Sequence, residues 1–171
     1  INNLTPKLEE IFKQESLNLI ALREVPINKN ILGDIALDCC PNIYQVFVSS
    51  SDEVFNEKKF ESNILQARKF IEEIYADDET LYLCSFSSKT IVYKGLMLPN
   101  AIKDFYTELQ KPQFEISTCV FHQRFSTNTS SRWHLAQPFR LLAHNGEINA
   151  IRGNRNWVKA RSNKFTTPYM P

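Results

Sequence analysis

Residues 121–157 read FHQRFSTNTSSRWHLAQPFRLLAHNGEINAIRGNRNW, a stretch that sets dense polar and glycine-dependent turn chemistry between two apolar, strand-like runs. At its entrance Cys119, Phe121, Gln123 and Phe125 alternate with Val120, His122 and Arg124. This period of two, rich in β-formers, predicts a strand that ends at Arg124. A second apolar run, FRLLA at 139–143, stops at His144-Asn145-Gly146-Glu147, a bend of the Asn-Gly kind that presents backbone N–H groups outward. A guanidinium at one strand end holds a carboxylate through two parallel bonds, and an Asn amide beside a Gly N–H stabilises an oxyanion as charge develops. Each feature alone also fits plain structure: Arg124 as a strand-end ion pair, Thr127 and Asn128 as a turn or cap, Asn145-Gly146 as a hairpin bend. Together they make donor geometry for an anion. Trp133 and Trp157 are expected to be packing anchors, with Arg152 and Arg155 tying down the loop that follows.

The HQRFSTNT segment, the spacing from Arg124 to Asn145, and the AHNGEIN and RGNRNW runs together closely resemble the glutaminase domain of the glutamate synthases. That domain is a class II glutamine amidotransferase of the N-terminal-nucleophile superfamily. Weaker agreement with the same family reaches back through Glu24-Val25-Pro26, Leu32-Gly33-Asp34, Gln45-Val46-Phe47 and TIVYKG at 90–95, so the resemblance covers nearly the whole chain. It implies an α+β fold, the four-layer αββα sandwich of antiparallel sheets. It also implies a mechanism in which an amino-terminal cysteine thiol attacks the glutamine side-chain amide while the free α-amine accepts the proton. An α-amine titrates near pH 8 (about 7.7–8.0 in peptides), so it serves as a base at neutral pH.

Carried over onto this sequence, the resemblance makes Asn145, through its side chain, and Gly146, through its N–H, the oxyanion hole. Arg124 would bind the α-carboxylate of L-glutamine and Thr127 would be a second carboxylate contact. Residue 1 is Ile, and none of the four cysteines presents a free α-amine. The chain is therefore expected to be an internal segment of one amidotransferase domain, inactive on its own. The parent enzyme that the resemblance implies uses FMN and an iron–sulfur cluster in later domains. It takes electrons from ferredoxin or an NAD(P)H-linked subunit, and passes ammonia to a synthase domain for 2-oxoglutarate. A non-catalytic module that kept the fold and binds an amino acid or partner is the competing reading.

Composition agrees with one globular domain: 43% hydrophobic and 23% charged residues in 171. No apolar run of membrane-spanning length and no secretory signal pattern is present, and no membrane role is expected. Residues 1–110 carry 11 Lys and Arg against 17 Asp and Glu, and residues 111–171 carry 9 against 2. The basic second half suits a site for an anionic amino acid better than a nucleic-acid surface. Cys39, Cys40, Cys84 and Cys119 form no C-x-x-C pair, and adjacent Cys39 and Cys40 bridge only with strain. A reducing compartment, the cytoplasm or a plastid stroma, is expected. Cys119 and His122 would face opposite sides of a strand, which reads as a buried structural thiol beside a hydrogen-bonded imidazole, and no metal is expected.

Along the chain, Thr5-Pro6 with Glu9 and Glu10 predicts a helix start with a capping hydroxyl and acids in its first turn, burying Leu4, Leu8, Ile11 and Phe12. Residues 17–25 predict a strand covered on both faces, 30–38 a short helix and 43–48 a strand. Residues 52–75 carry Phe60, Ile64, Ala67, Ile71 and Ile74 at helical spacing. Runs 81–86 and 89–95 predict a hairpin turned at Ser87-Ser88, and 99–109 a helix burying Ile102, Phe105, Tyr106 and Leu109. A loop and one helical turn are expected across 148–162, because Gly153, Asn154 and Asn156 are poor helix formers.

Overall fold

The computed structural model describes residues 4–78, 80–125, 130–138, 150–166 and 168. The expected apolar run at 139–143 and the Asn-Gly bend lie outside these residues. The architecture is α+β. Helix α1, Thr5–Gln14, leads into strand β1, Leu17–Glu24; the short helix α2, Asp34–Asp38, precedes strand β2, Tyr44–Ser50; helix α3, Glu57–Ile74, follows. Later come a single helical turn α4, Ile102–Phe105, and helix α5, Arg152–Ala160. β1 and β2 pair antiparallel, Leu17 opposite Ser50 and Glu24 opposite Tyr44. Ser51 N–H to Ser16 O (3.0 Å) and Val25 N–H to Ile43 O (2.9 Å) extend the pairing at its two ends.

Local chemistry sets the boundaries. α1 places Pro6 in its first turn, where the missing N–H costs nothing, and buries Leu8, Ile11 and Phe12. Leu4 is the residue before the helix, Thr5 is already helical, and no acid falls in the first turn, so of the expected start signals it is Pro6 that sits in the first turn as predicted. Ser16, at φ 55°, takes the left-handed step that releases the chain from α1 into β1. α3 starts at Glu57 rather than at 52, because the Asn56 side chain accepts the Lys59 N–H at 3.0 Å and caps the first turn there. Its buried stripe is Phe60, Ile64, Ala67 and Ile71, as the spacing predicts, while Ile74 stays half exposed.

Two apolar clusters form the interior. Leu8, Ile11, Phe12 and Leu17 pack with Phe60, Ile64, Ala67 and Ile71, joining α1, β1 and α3. Val25, Phe105, Tyr106 and Trp133 form the second, with Ile31, Ile43, Tyr93 and Met97 against it. Residues 81–97 run from one to the other: Leu83 and Phe86 pack on the first cluster, Tyr93, Leu96 and Met97 on the second.

That division corrects several expectations. Residues 81–86 and 89–95 reverse direction but form no ladder. Their side chains are drawn to different clusters, and their polar backbone groups find side chains instead: Val92 N–H donates to Ser85 Oγ (3.1 Å) and Arg68 Nη2 to Leu83 O (3.3 Å). β1 is covered on one face only. Leu17 is fully buried, but a register shift between Leu19 and Ala21 leaves Ile20 64% exposed.

The helix expected over 99–109 breaks at Tyr106. There the backbone leaves the helical path to bridge Ile27, and the phenol donates to Lys94 O at 2.7 Å. The helix expected over 30–38 is a 3₁₀ turn, Lys29–Ile31, then α2, separated by extended Leu32 and Gly33. α5 runs nine residues, longer than the single turn expected.

Gly95 sits where no side chain fits. A Cβ there would lie 2.6 Å from the Trp133 ring, and Trp133 is 4% exposed with its indole N–H donating to Ala36 O (3.2 Å), so the ring has no room to retreat. Gly95→Ala is expected to destabilise the chain by about 1–3 kcal/mol, the usual cost of overpacking a core. Urea unfolding reads this directly, and an unchanged midpoint would show that the indole yields.

Candidate functional site

Arg124 is exposed, in irregular chain between residues 111 and 125, and its backbone N–H donates to His122 Nδ1 at 3.1 Å. The strand expected to end there does not form among the described residues. Val120 and Phe121 are 67% and 69% exposed with no strand beside them, and Cys119 is exposed rather than buried. His122 is hydrogen-bonded, as expected. Thr127, Asn145 and Gly146 lie outside the described residues, so Arg124 is the one member of the expected site with a described position.

Between the two halves of the motif, residues 130–138 are moored to the second cluster. Trp133 and Ala136 are buried, and the Trp133 ring stacks at a tilt on Phe105 with centroids 5.6 Å apart. Lys94 Nζ donates to His134 O at 2.8 Å and lies 5.4 Å from the centre of the Tyr82 ring. Trp133 is thus the packing anchor its composition suggested. Trp157 is not: it is 63% exposed, with the Arg161 guanidinium 4.8 Å over its ring.

Sequence reading missed Lys94, a lysine 5% exposed whose ammonium is destabilised by burial, so that its pKa falls below the ordinary lysine value. The available signal was Gly95, one of only four glycines in the chain and the residue immediately after it.

A second buried polar group faces the cleft between β2 and residues 80–93, a space of about 630 Å³. Glu108, 7% exposed, accepts from Arg23 Nη2 (2.6 Å) and from Tyr93 Oη (2.7 Å), while Arg23 Nε also donates to Gln45 Oε1 (2.7 Å). Burial alone would raise the Glu108 carboxyl, but the hydrogen bonds from Tyr93 and Arg23 outweigh it and hold the group below its ordinary 4.5. Burial and the neighbouring carboxylate push the Tyr93 phenol up to about 12.

A depressed carboxyl contributes stability that is present above the unfolded-state pKa and is lost as pH falls through the folded one. Arg23 is 42% exposed, so solvent screens the ion pair and the Tyr93 bond carries more of the effect. Glu108→Gln is expected to lose about 1–3 kcal/mol at pH 7. Urea midpoints between pH 3 and 7 should show its deficit shrinking below 4.5 as the native carboxyl protonates.

None of the thiols with a resolved shift is activated. Burial raises Cys84 and Cys40 above the ordinary value, whereas a nucleophilic cysteine needs its thiolate stabilised. Among the described residues no three His, Cys, Asp or Glu converge to hold a metal ion, and no helix is long and apolar enough to cross a membrane.

Comparison with known proteins supplies what the geometry of Arg124 alone does not. The family model of the class II glutamine amidotransferases matches residues 1–171. The chain is 43% identical over 166 residues to the ferredoxin-dependent glutamate synthase of Cyanidium caldarium, covering 94% of this chain and 11% of that protein. It is 45% identical over 157 residues to ferredoxin-dependent glutamate synthase 1 of Arabidopsis thaliana, covering 90% and 10%, and 38% identical over 162 residues to the NADPH glutamate synthase large chain of Bacillus subtilis, covering 94% and 11%. The chain spans about a tenth of the length of these relatives. Since the family model covers every residue, and the relatives align over nine-tenths of the chain or more, the chain belongs to the class II glutamine amidotransferases.

Proposed function

We propose that this chain is part of the glutaminase unit of a glutamate synthase. In this reading it binds L-glutamine, and the parent protein releases ammonia from the side-chain amide for transfer to 2-oxoglutarate, making L-glutamate. The observation that carries the proposal is the family match over the full chain, together with relatives named as glutamate synthases at 38–45% identity.

Arg124 binds the α-carboxylate, with Thr127 as a second contact; its exposed guanidinium is accessible to a ligand. The Asn145 side-chain amide and the Gly146 N–H stabilise the oxyanion that forms when a thiolate attacks the amide carbon. The proton leaves the thiol for an α-amine on the same residue, and the tetrahedral intermediate expels ammonia to leave a thioester that water hydrolyses.

The attacking sulfur comes from chain outside these 171 residues. Cys39, Cys40, Cys84 and Cys119 all carry an amide nitrogen rather than an amine, and Cys40 and Cys84 are pushed away from the thiolate by burial. In the parent, β1 and β2 belong to a four-layer αββα sandwich. The residues here do not fit an iron–sulfur cluster, since the described cysteines do not converge; in this reading the cluster and FMN belong to other domains of the parent. Electrons come from ferredoxin or an NAD(P)H-linked subunit; the relatives' names carry ferredoxin and NADPH. The compartment is the cytoplasm or the plastid stroma.

Ammonia release from L-glutamine, measured on the parent polypeptide and on the 171-residue chain, tests the assignment. Turnover is expected from the first and none from the second. Thiol-dependent turnover by the chain alone would show that its nucleophile lies within it. A parent that binds glutamine without releasing ammonia would make this a binding module.

A further inference from the structure

A second cavity, about 420 Å³, opens between the C-terminal half of α3, residues 81–84 and the moored segment around His134. Three cations line it: Arg68, Lys94 and Arg132, with the His134 ring 5.7 Å from that of Tyr82. Its two carboxylates are engaged within the protein. Glu72 accepts from Arg68 Nε (2.7 Å) and from Lys69 Nζ (3.0 Å), and Asp78 accepts from the Thr80 N–H (2.8 Å). Arg68 Nη2 is tied to Leu83 O, and its Nη1 makes no hydrogen bond among the described residues. The remaining wall is apolar and aromatic: Ile71, Leu81, Leu83 and Tyr75. The volume falls within the range of about 300–1,000 Å³ usual for small-molecule sites, and a mostly apolar wall with a few convergent charges is their usual make-up.

We propose that this cavity binds a small aliphatic carboxylate. Lys94, held in place by His134 O, gives fixed positive charge in a partly desolvated space, where an anion is bound more strongly than at an open surface, and Arg68, its charge offset by Glu72, offers its spare Nη1 as a positioned donor. The apolar wall suits a carbon chain, which a bare inorganic anion lacks. Arg124, the described member of the glutamine site proposed above, does not line the cavity.

Isothermal titration of the chain with glutarate tests the proposal. Saturable binding is expected, weakened at least tenfold by Lys94→Met and by Arg132→Ala and unchanged by Arg124→Lys. Lys94→Met alters a buried group, so its fold is checked by circular dichroism and urea unfolding; Arg132 is exposed, and its variant keeps the test decisive if the other fails to fold. Absence of saturable binding, equal affinity in the Arg132→Ala protein, or loss of binding in Arg124→Lys would each overturn the assignment. Inorganic phosphate binding as tightly as glutarate would overturn the choice of a carboxylate.

Discussion

Asn145→Ala in the parent polypeptide is expected to lower kcat for glutamine hydrolysis by about 10²–10³, the usual cost of removing one oxyanion-hole donor. In the proposed role the amide meets charge only as the tetrahedral oxyanion develops, so the loss is expected on kcat and kcat/KM alike, while glutamine binding changes little. Asn145→Asp is the sharper variant, since it places a negative charge where the oxyanion forms. Steady-state ammonia release and glutamine affinity, measured on the same preparation, separate the two effects. A kcat within a few-fold of the native value would reduce Asn145-Gly146 to a structural bend.

Arg124→Lys has the opposite signature. Lysine keeps the charge but loses the planar fork that makes two parallel bonds to a carboxylate. One charge-assisted hydrogen bond is worth about 1.5–3 kcal/mol. KM for glutamine should therefore rise about 10- to 150-fold with kcat nearly unchanged, because the α-carboxylate is held equally in ground and transition states. Competition by glutamine analogues that lack the α-carboxylate should be insensitive to the substitution. If KM stays where it was, Arg124 is an ion-pairing surface residue and the carboxylate lies elsewhere.

The helix faces were legible because each is decided within a few turns. Leu8, Ile11 and Phe12 on α1, and Phe60, Ile64, Ala67 and Ile71 on α3, follow the helical period and are buried as that period requires. β1 and β2 were legible as strands, yet the exposure of Ile20 was not, since a register shift depends on the partner strand. The run 81–95 has every mark of a hairpin. Whether its two arms pair is settled by which cluster claims Leu83 and Phe86 and which claims Tyr93, and no local pattern records that competition.

The family could be read from HQRFSTNT, AHNGEIN and RGNRNW, because those runs set uncommon polar and glycine-bearing combinations in a fixed order. Lys94 and Glu108 could not. Each is an ordinary charged residue until the fold brings His134 O to one and Arg23 with Tyr93 to the other. Tyr106 was rightly assigned to the interior, but its exit from the helix depends on Ile27, distant in sequence.

The passage of residues 81–97 between the two apolar clusters bears on cooperativity. A ladder would have made this run a self-contained hairpin, able to persist or melt by itself. Lacking one, it is ordered only by what Leu83 and Phe86 grip at one end and Tyr93, Leu96 and Met97 grip at the other. Loosening either end frees the tether, and the opposite cluster then loses part of its own wall. The two halves of the interior are in this way coupled into one unfolding unit by a stretch of chain with no regular structure.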